Sequence, residues 1–470
     1  MMWLTIDKKG NISLIRQVYD QIKSMILEGK LVQEDKLPST RWLSKDLGIS
    51  RNVILEAYDQ LMAEGYIESR HGSGTVVSKG IYFRKSEIKL KNSLSNDIKK
   101  RDENNLIDFR SGVPELNMFP KKEWGNLYNK ICSNIPYSAL RYCGPEGIIE
   151  LRQALSEYLF RVRGICCRAE QIMIISGSTQ GLSLISKMLY EPSAEIIVED
   201  PIHYGLLNVI SAYDYLITPI PVDDKGIRTD MLKAGNKVEF VYVTPSHQFP
   251  LGGVLPIKRR IELVEFSKKN SCYIIEDDYD SEFRYEGQPT SSFYELEPNR
   301  VIYIGSFSKI LAPALRLGYM ILPDELIPKY KKLKMYTDVH TESISQLVLA
   351  KFISDGKLEK HIWKMKKEYN KKRQALINNL DINFPNEYLI KGQATGLHLV
   401  AEFENILFTE EVLEVIVRGK VKVYPVEKYA IQKGRHCNKI ILGYGHLSID
   451  DITEGIKRLK KAITSINLLL

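Results

Sequence analysis

The segment GSFSKILAPALRLGY (residues 305–319) decides the fold of most of this chain. It continues the run RVIYIGS (300–306), whose Ile, Val and Tyr content reads as a buried strand. Lys309 falls just past the strand end, beside Ser306 and Ser308, with Arg316 seven residues later. A lysine amine must lose its proton to attack an aldehyde, and burial near other cations lowers its pKa. Arg316 offers a planar fork of donors suited to a phosphate. Alone, Ser-x-x-Lys is weak, because a single lysine is usually a solvated surface charge.

Two further segments change that weighting. SCYIIEDDYDSEFRY (271–285) brings Asp277 to a strand end, with Tyr279 two residues on. IISGSTQGLSLISKML (174–189) reads as strand, Gly-Ser-Thr-Gln turn and helix, so the N–H groups and hydroxyls of Ser178 and Thr179 are placed to cradle a phosphate. Separately these are an acidic pair ending a strand and a capped helix. In the order phosphate turn, Asp-x-Tyr, Ser-Phe-Ser-Lys they describe a pyridoxal phosphate (PLP) site. A carboxylate facing the pyridine nitrogen keeps it protonated, which makes the ring an electron sink. Tyr279 is placed to hydrogen-bond the ring oxygen O3′.

Outward from these motifs, QIMIIS, AEIIVED, VEFVYVT and SCYIIEDD alternate with amphipathic helices from Leu106 onward. Buried strands alternating with helices imply a mostly parallel sheet in an α/β domain. The expected organisation is a headpiece at 10–79, a linker at 80–105 rich in Lys, Asn, Ser and Asp, and a large domain at 106–470.

The headpiece is helical. Ile15, Val18, Tyr19, Ile22 and Ile26 share one face of a first helix capped by Ser13. LPSTRWLSKDLGIS (37–50) gives a second helix, capped by Ser39, facing inward with Leu43 and Leu47 and stopped by Gly48. Ser50 caps a third helix whose inner stripe is Ile54, Ala57, Tyr58 and Leu61; Arg51, Asn52, Glu56 and Gln60 lie opposite. YIESR and TVVS then flank His71-Gly72-Ser73-Gly74 as a two-stranded wing. The pattern is a winged helix-turn-helix, in which the third helix enters the major groove of DNA.

The whole chain has 470 residues, 44% hydrophobic and 26% charged, with a formal charge of +8. Residues 1–79 hold eleven Lys/Arg against ten Asp/Glu, so DNA contact there must rest on a few placed cations rather than bulk charge. No apolar run approaches the ~18–20 residues that span a bilayer, and the N-terminus lacks a secretory pattern. The cysteines at 132, 143, 166, 167, 272 and 437 show no metal-ligand or disulfide spacing, which reads as reduced thiols in the cytoplasm.

The headpiece resembles the GntR class of bacterial repressors through LPSTRWLSKDLGISRN and EAYDQLMAEGYIESRHGSGTVV (56–77). The resemblance implies DNA contacts from Arg41, Ser50, Arg51, Asn52, Arg70 and Gly72. Val53 stands where relatives usually have Thr, which implies one contact fewer. The large domain resembles fold-type I PLP enzymes, aminotransferase class I. Both halves together resemble the MocR/GabR family of transcriptional regulators, with further matches in DFRSGVPELNMFP (108–120), RYCGPEGIIELRQAL (141–155) and TPSHQFPLGGVLP (244–256).

That resemblance assigns roles. Lys309 would hold PLP as the internal aldimine, Asp277 would pair with the pyridine nitrogen and Tyr279 with O3′. Ser178, Thr179, Ser306 and Arg316 would form the phosphate cup. His203 stands where a tyrosine more often stacks on the ring, and Tyr142 where a residue reaches the neighbouring subunit's phosphate, which implies a homodimer. His247 or Gln248 replaces an asparagine that contacts O3′. In NKIILGYGHLS (438–448), Ile441 occupies the position of the arginine that grips a substrate α-carboxylate; Arg435 lies six residues earlier. The implied protein is a regulator of operator DNA that senses PLP, an amine or an amino acid by aldimine exchange at Lys309, with the missing clamp favouring PLP itself. The alternative is a working aminotransferase with an appended DNA-binding domain, against which Ile441 weighs.

Overall fold

The computed structural model describes residues 4–70, 74–80, 105–233, 237–287 and 291–467. The chain divides into two compact units, 1–102 and 103–470. The expected linker falls almost wholly outside the described residues.

In the first unit, α1 (Leu14–Leu27), α2 (Thr40–Leu47) and α3 (Arg51–Ala63) precede the antiparallel pair β1 (Ile67–Arg70) and β2 (Gly74–Val77). Each helix starts where its cap predicts: the hydroxyls of Ser13, Ser39 and Ser50 accept from Arg16, Trp42 and Asn52 N–H groups. Gly48 ends α2 at φ 61°, the left-handed conformation that costs glycine least. Val18, Tyr19, Ile22, Leu43, Ile54, Ala57, Tyr58 and Leu61 form the buried core. The packed unit begins earlier than residue 10, because Leu4 and Ile6 rest on that core and Thr5 N–H donates to the Gln21 side chain.

The second unit opens with β3 (Ile107–Asp108) and is built on eight strands. They are β4 (Ile172–Ile175), β5 (Glu195–Asp200), β6 (Leu216–Asp223), β7 (Gly226–Ile227), β8 (Val238–Val243), β9 (Tyr273–Asp278), β10 (Val301–Ser306) and β11 (Gly318–Ile321). Their order is β4-β11-β10-β9-β8-β5-β6-β7. The central pairs β10–β9, β9–β8, β8–β5 and β5–β6 are parallel. β11 is antiparallel to both β10 and β4, so β4 regains the direction of the central strands. The carboxyl ends of β4, β5, β8, β9 and β10 therefore lie along one edge, where ligands of open α/β sheets bind.

A smaller antiparallel sheet follows, made of β12 (Tyr388–Lys391), β13 (His398–Phe403), β15 (Tyr424–Pro425) and β16 (Lys439–Gly443); β14 (Val421–Lys422) pairs with β3 instead. All six cysteines are unpaired. Among the described residues no helix is long and apolar enough to cross a membrane.

Candidate functional site

The carboxyl ends of the central strands enclose a pocket lined by Ser178, Thr179, His203, Asp277, Tyr279 and Lys309, six of the residues singled out from sequence. Each arrives by a short path: Ser178 and Thr179 after β4, His203 after β5, Asp277 on β9, Lys309 three residues beyond β10. Lys309 is largely enclosed, and its Nζ donates to the carbonyl of Gly112. Burial lowers its pKa, while Asp280 and Asp277 oppose that shift. The neutral amine needed for condensation with an aldehyde is thereby made more accessible.

Asp277 accepts a hydrogen bond from the Tyr242 hydroxyl at 2.6 Å. Burial pushes its pKa up to about 6, and the Tyr242 bond partly offsets the rise. A pyridinium beside it would restore the carboxylate by supplying the missing positive partner. Tyr279 donates to the His247 carbonyl at 2.9 Å, and its hydroxyl lies 3.1 Å from His247 Nδ1. His203 Nδ1 accepts from Gly205 N–H, capping the helix Tyr204–Ile210, and its ring meets Phe249 edge-on at 5.2 Å. Burial and the nearby Lys309 lower its pKa, favouring a neutral ring.

The turn before the helix Ser178–Met188 leaves backbone donors facing outward. Gly177 sits at φ 87°, and a Cβ there would come within 2.7 Å of the Arg316 guanidinium. Arg316 in turn donates to the Ser176 carbonyl at 2.6 Å. The first intrahelical bonds run from Gln180 and Gly181 N–H to Gly177, so the N–H groups of Ser178 and Thr179 precede them and point out of the helix start. Ser306 pairs in register with Gly318, next to Gly177, and its hydroxyl accepts from Ser308 N–H. Arg316 and Ser306 thus flank the phosphate turn but do not line the pocket wall itself. Tyr142 lies elsewhere: it is 85% exposed and sits with His340 in a separate surface groove.

Neither His247 nor Gln248 lines the pocket. Gln248 is fully buried and spends its amide on the carbonyls of Pro201 and Phe249 and on Leu251 N–H. His247 stacks under Tyr279 at 5.9 Å and pairs with Asp280. Ile441 is fully buried in an apolar cluster with Phe249, Leu251, Val400 and Val426, and Tyr279 packs against it. Arg435 is exposed and does not line the pocket.

Sequence reasoning missed Tyr242, Glu199, Thr244, Asp280 and His398, all pocket residues. Glu199 accepts from the Thr244 N–H at 3.1 Å and its hydroxyl at 2.6 Å, and burial pushes its pKa up to about 7. The extra acid after Asp-Asp-Tyr was the available signal for Asp280. Tyr242 and Glu199 carried none, being a core-like aromatic and a strand-end acid.

In the headpiece, Arg41, Ser50, Arg51 and Asn52 are exposed at the starts of α2 and α3. Arg51 Nε contacts Thr40 at 3.4 Å. Arg70 is held by Glu68 at 2.7 Å and Glu34 at 3.1 Å, so a phosphate must displace acids to reach it. Gly72 lies outside the described residues.

Comparison with known proteins agrees with this construction. Residues 14–77 match the model of bacterial regulatory proteins of the gntR family, and residues 111–432 match aminotransferase class I and II. The chain belongs to the MocR/GabR family, transcriptional regulators that join a GntR-type helix-turn-helix to a class I/II aminotransferase domain of PLP fold-type I. It is 36% identical to the uncharacterized HTH-type transcriptional regulator YdeL of Bacillus subtilis, covering 97% of this chain and 98% of that protein. It is 31% identical to the HTH-type pyridoxine biosynthesis transcriptional regulator PdxR of Corynebacterium glutamicum, over 83% of each chain. The solved structure of Pyrococcus horikoshii kynurenine aminotransferase matches 77% of this chain and 91% of its own, at 30% identity and a TM-score of 0.72. PLP is the cofactor of this fold, and the lysine, buried acid and open phosphate turn of the pocket fit it.

Proposed function

We propose that the protein is a dimeric, cytoplasmic regulator that binds double-stranded operator DNA through its headpiece and reads PLP, or an amine or amino acid competing for it, in the pocket around Lys309. The observation that carries this reading is the pairing of an intact lysine–acid–phenol set with Ile441 at the position of a carboxylate clamp. PLP supplies an aldehyde that condenses with one amine at a time, so an amine effector and Lys309 compete for it.

The protein's own groups divide the work. Ser178, Thr179, Ser306 and Arg316 hold the phosphate and so fix the ring's depth. Asp277 meets the pyridine nitrogen, and Tyr279, braced by His247, meets O3′. Burial lowers the pKa of Lys309 and so favours the neutral amine that condensation needs, while Asp280 and Asp277 oppose that shift. Ile441 is fully buried outside the pocket lining and supplies no cation for a carboxylate there, and a desolvated unpaired carboxylate is strongly disfavoured. This favours PLP itself or an amine without an α-carboxylate as the effector. The resemblance to a relative named for pyridoxine biosynthesis points the same way.

Headpiece contacts come from Arg41, Ser50, Arg51, Asn52, Arg70 and Gly72, and Tyr142 extends toward the partner's phosphate site. A ligand changes DNA binding only through unequal affinity for two arrangements of the protein. The test is Lys309→Ala: cofactor-dependent visible absorbance is lost, borohydride no longer fixes PLP to the chain, and band shifts with the intergenic DNA beside the gene no longer respond to PLP or amines. A normal response in that variant overturns the reading. The intact Lys309, Asp277 and Tyr279 also support a second reading, an active aminotransferase; multiple turnovers with an amino donor and a 2-oxo acid would establish it.

A further inference from the structure

Three carboxylates follow one another on and after β9, and each has a different partner. Asp277 is engaged by Tyr242. Asp278 is engaged by Arg163 at 2.8 Å, Tyr303 at 2.6 Å and Ser281 at 2.8 Å. Among the described residues Asp280 has only His247 as a hydrogen-bonded side chain, whose Nδ1 lies 2.9 Å and 3.1 Å from its two oxygens. Both side chains are almost completely buried, at 3% and 1% exposure. His247 Nε2 is buried and has no hydrogen-bond partner among the described residues. Among the described residues no lysine or arginine forms an ion pair with Asp280.

A buried carboxylate without a cation is unfavourable unless one is near. Among the described residues lining the pocket, Lys309 is the one lysine or arginine, and Asp280 lines the same wall. The dyad cannot drift from this position: Gly396 packs so closely on it that a Cβ would lie 2.2 Å from the His247 ring and 2.3 Å from Asp280 Oδ2. The geometry points to Asp280, oriented by His247, as the counter-charge that receives Lys309 when the lysine is set free, and so as the positioning residue that sets how readily an amine displaces it. This inference rests on the reading that Lys309 exchanges PLP with an effector. Burial depresses the lysine's proton affinity and Asp280 is the strongest opposing influence, ahead of Asp277.

The charged and titratable surroundings are few enough to test. Lys309 is faced by Asp277 and Asp280, by His203 after β5 and by His398 on β13. His398 stays neutral, its pKa lowered to about 3 by burial and by His247. Asp280 is faced by His247, Asp278, Asp277 and Glu282, and by the phenols of Tyr279, Tyr285 and Tyr444.

The experiment measures the pH dependence of reductive methylation at Lys309 in full-length, cofactor-free protein, read by peptide mass spectrometry. In Asp280→Asn the protonation midpoint falls by about 1–3 pH units, the usual effect of losing an opposite charge nearby. Asp280→Glu keeps the charge and holds the midpoint near wild type. Asp280→Ser serves as a second neutral variant, and either one with a wild-type near-ultraviolet spectrum suffices. An unchanged midpoint in a folded neutral variant overturns the proposal. If borohydride fixes no PLP to wild-type Lys309, the exchange reading fails; if it does and the midpoint does not move, only the role of Asp280 fails.

Discussion

Glu199 is the residue whose burial has the most direct consequence for the cofactor-free protein. Its carboxyl titrates near the ordinary 4.5 in the unfolded chain and at about 7 in the folded one. Between those values the folded protein holds a proton that the unfolded chain has lost. Stability from this group is therefore full below the lower value and declines as pH rises through the upper one, by at most about 3 kcal/mol. Glu199→Gln keeps a polar group without the ionisation. Its melting temperature is expected to gain on wild type between about pH 5 and about pH 7.5, with little difference at the acid end. A constant difference across that interval would mean that Glu199 is not a neutral buried acid. In the headpiece, Arg51→Ala is expected to weaken operator binding uniformly across sequences and lower the salt slope by about 1 if the side chain meets a phosphate. Fluorescence anisotropy at several stated salt concentrations reads both effects.

At the scale of elements, the strand–turn–helix at 172–188 does what a single residue could not. Gly177 permits the left-handed turn, Arg316 closes over it, and the helix start leaves its N–H groups free. Gly177→Ala adds a methyl group against Arg316 and forces an alanine into positive φ with extended ψ, a region open essentially to glycine, at a cost of about 1–3 kcal/mol. PLP retention is expected to fall about tenfold or more with the sheet intact, measured by equilibrium dialysis alongside circular dichroism. This element was legible in sequence because turn chemistry and strand composition are local. So were the headpiece helices: three serines capped them where serines were read as caps, and the apolar stripes turned inward. The unread part of the site depends on long-range pairing. Tyr242 reaches Asp277 only because β8 lies beside β9, and His398 comes from the second sheet. Arg70 looked like a free wing cation, and its capture by Glu34, 36 residues away, had no local trace.

For the whole molecule, the headpiece carries almost no net charge while the chain carries +8. In the proposed dimer, two headpieces would multiply weak operator contacts, since the second contact becomes intramolecular once the first is made. Sedimentation and band shifts on whole and half operators are expected to show a dimer that loses most of its affinity on the half site. Equal affinity for both would remove the dimer from the account of DNA recognition.

The replacement of a cationic clamp by Ile441 would also change what kind of signal the proposed regulator sends. A catalyst consumes what it binds, so its occupancy follows the supply rate of its substrate. A pocket that holds its ligand in an orientation unsuited to turnover comes to equilibrium with it, and its occupancy follows how much is present. On the proposed reading, that one buried methyl-rich side chain would separate a gauge of level from a gauge of flow, and the controlled gene would answer to the size of the pool, however fast the pool is being drained.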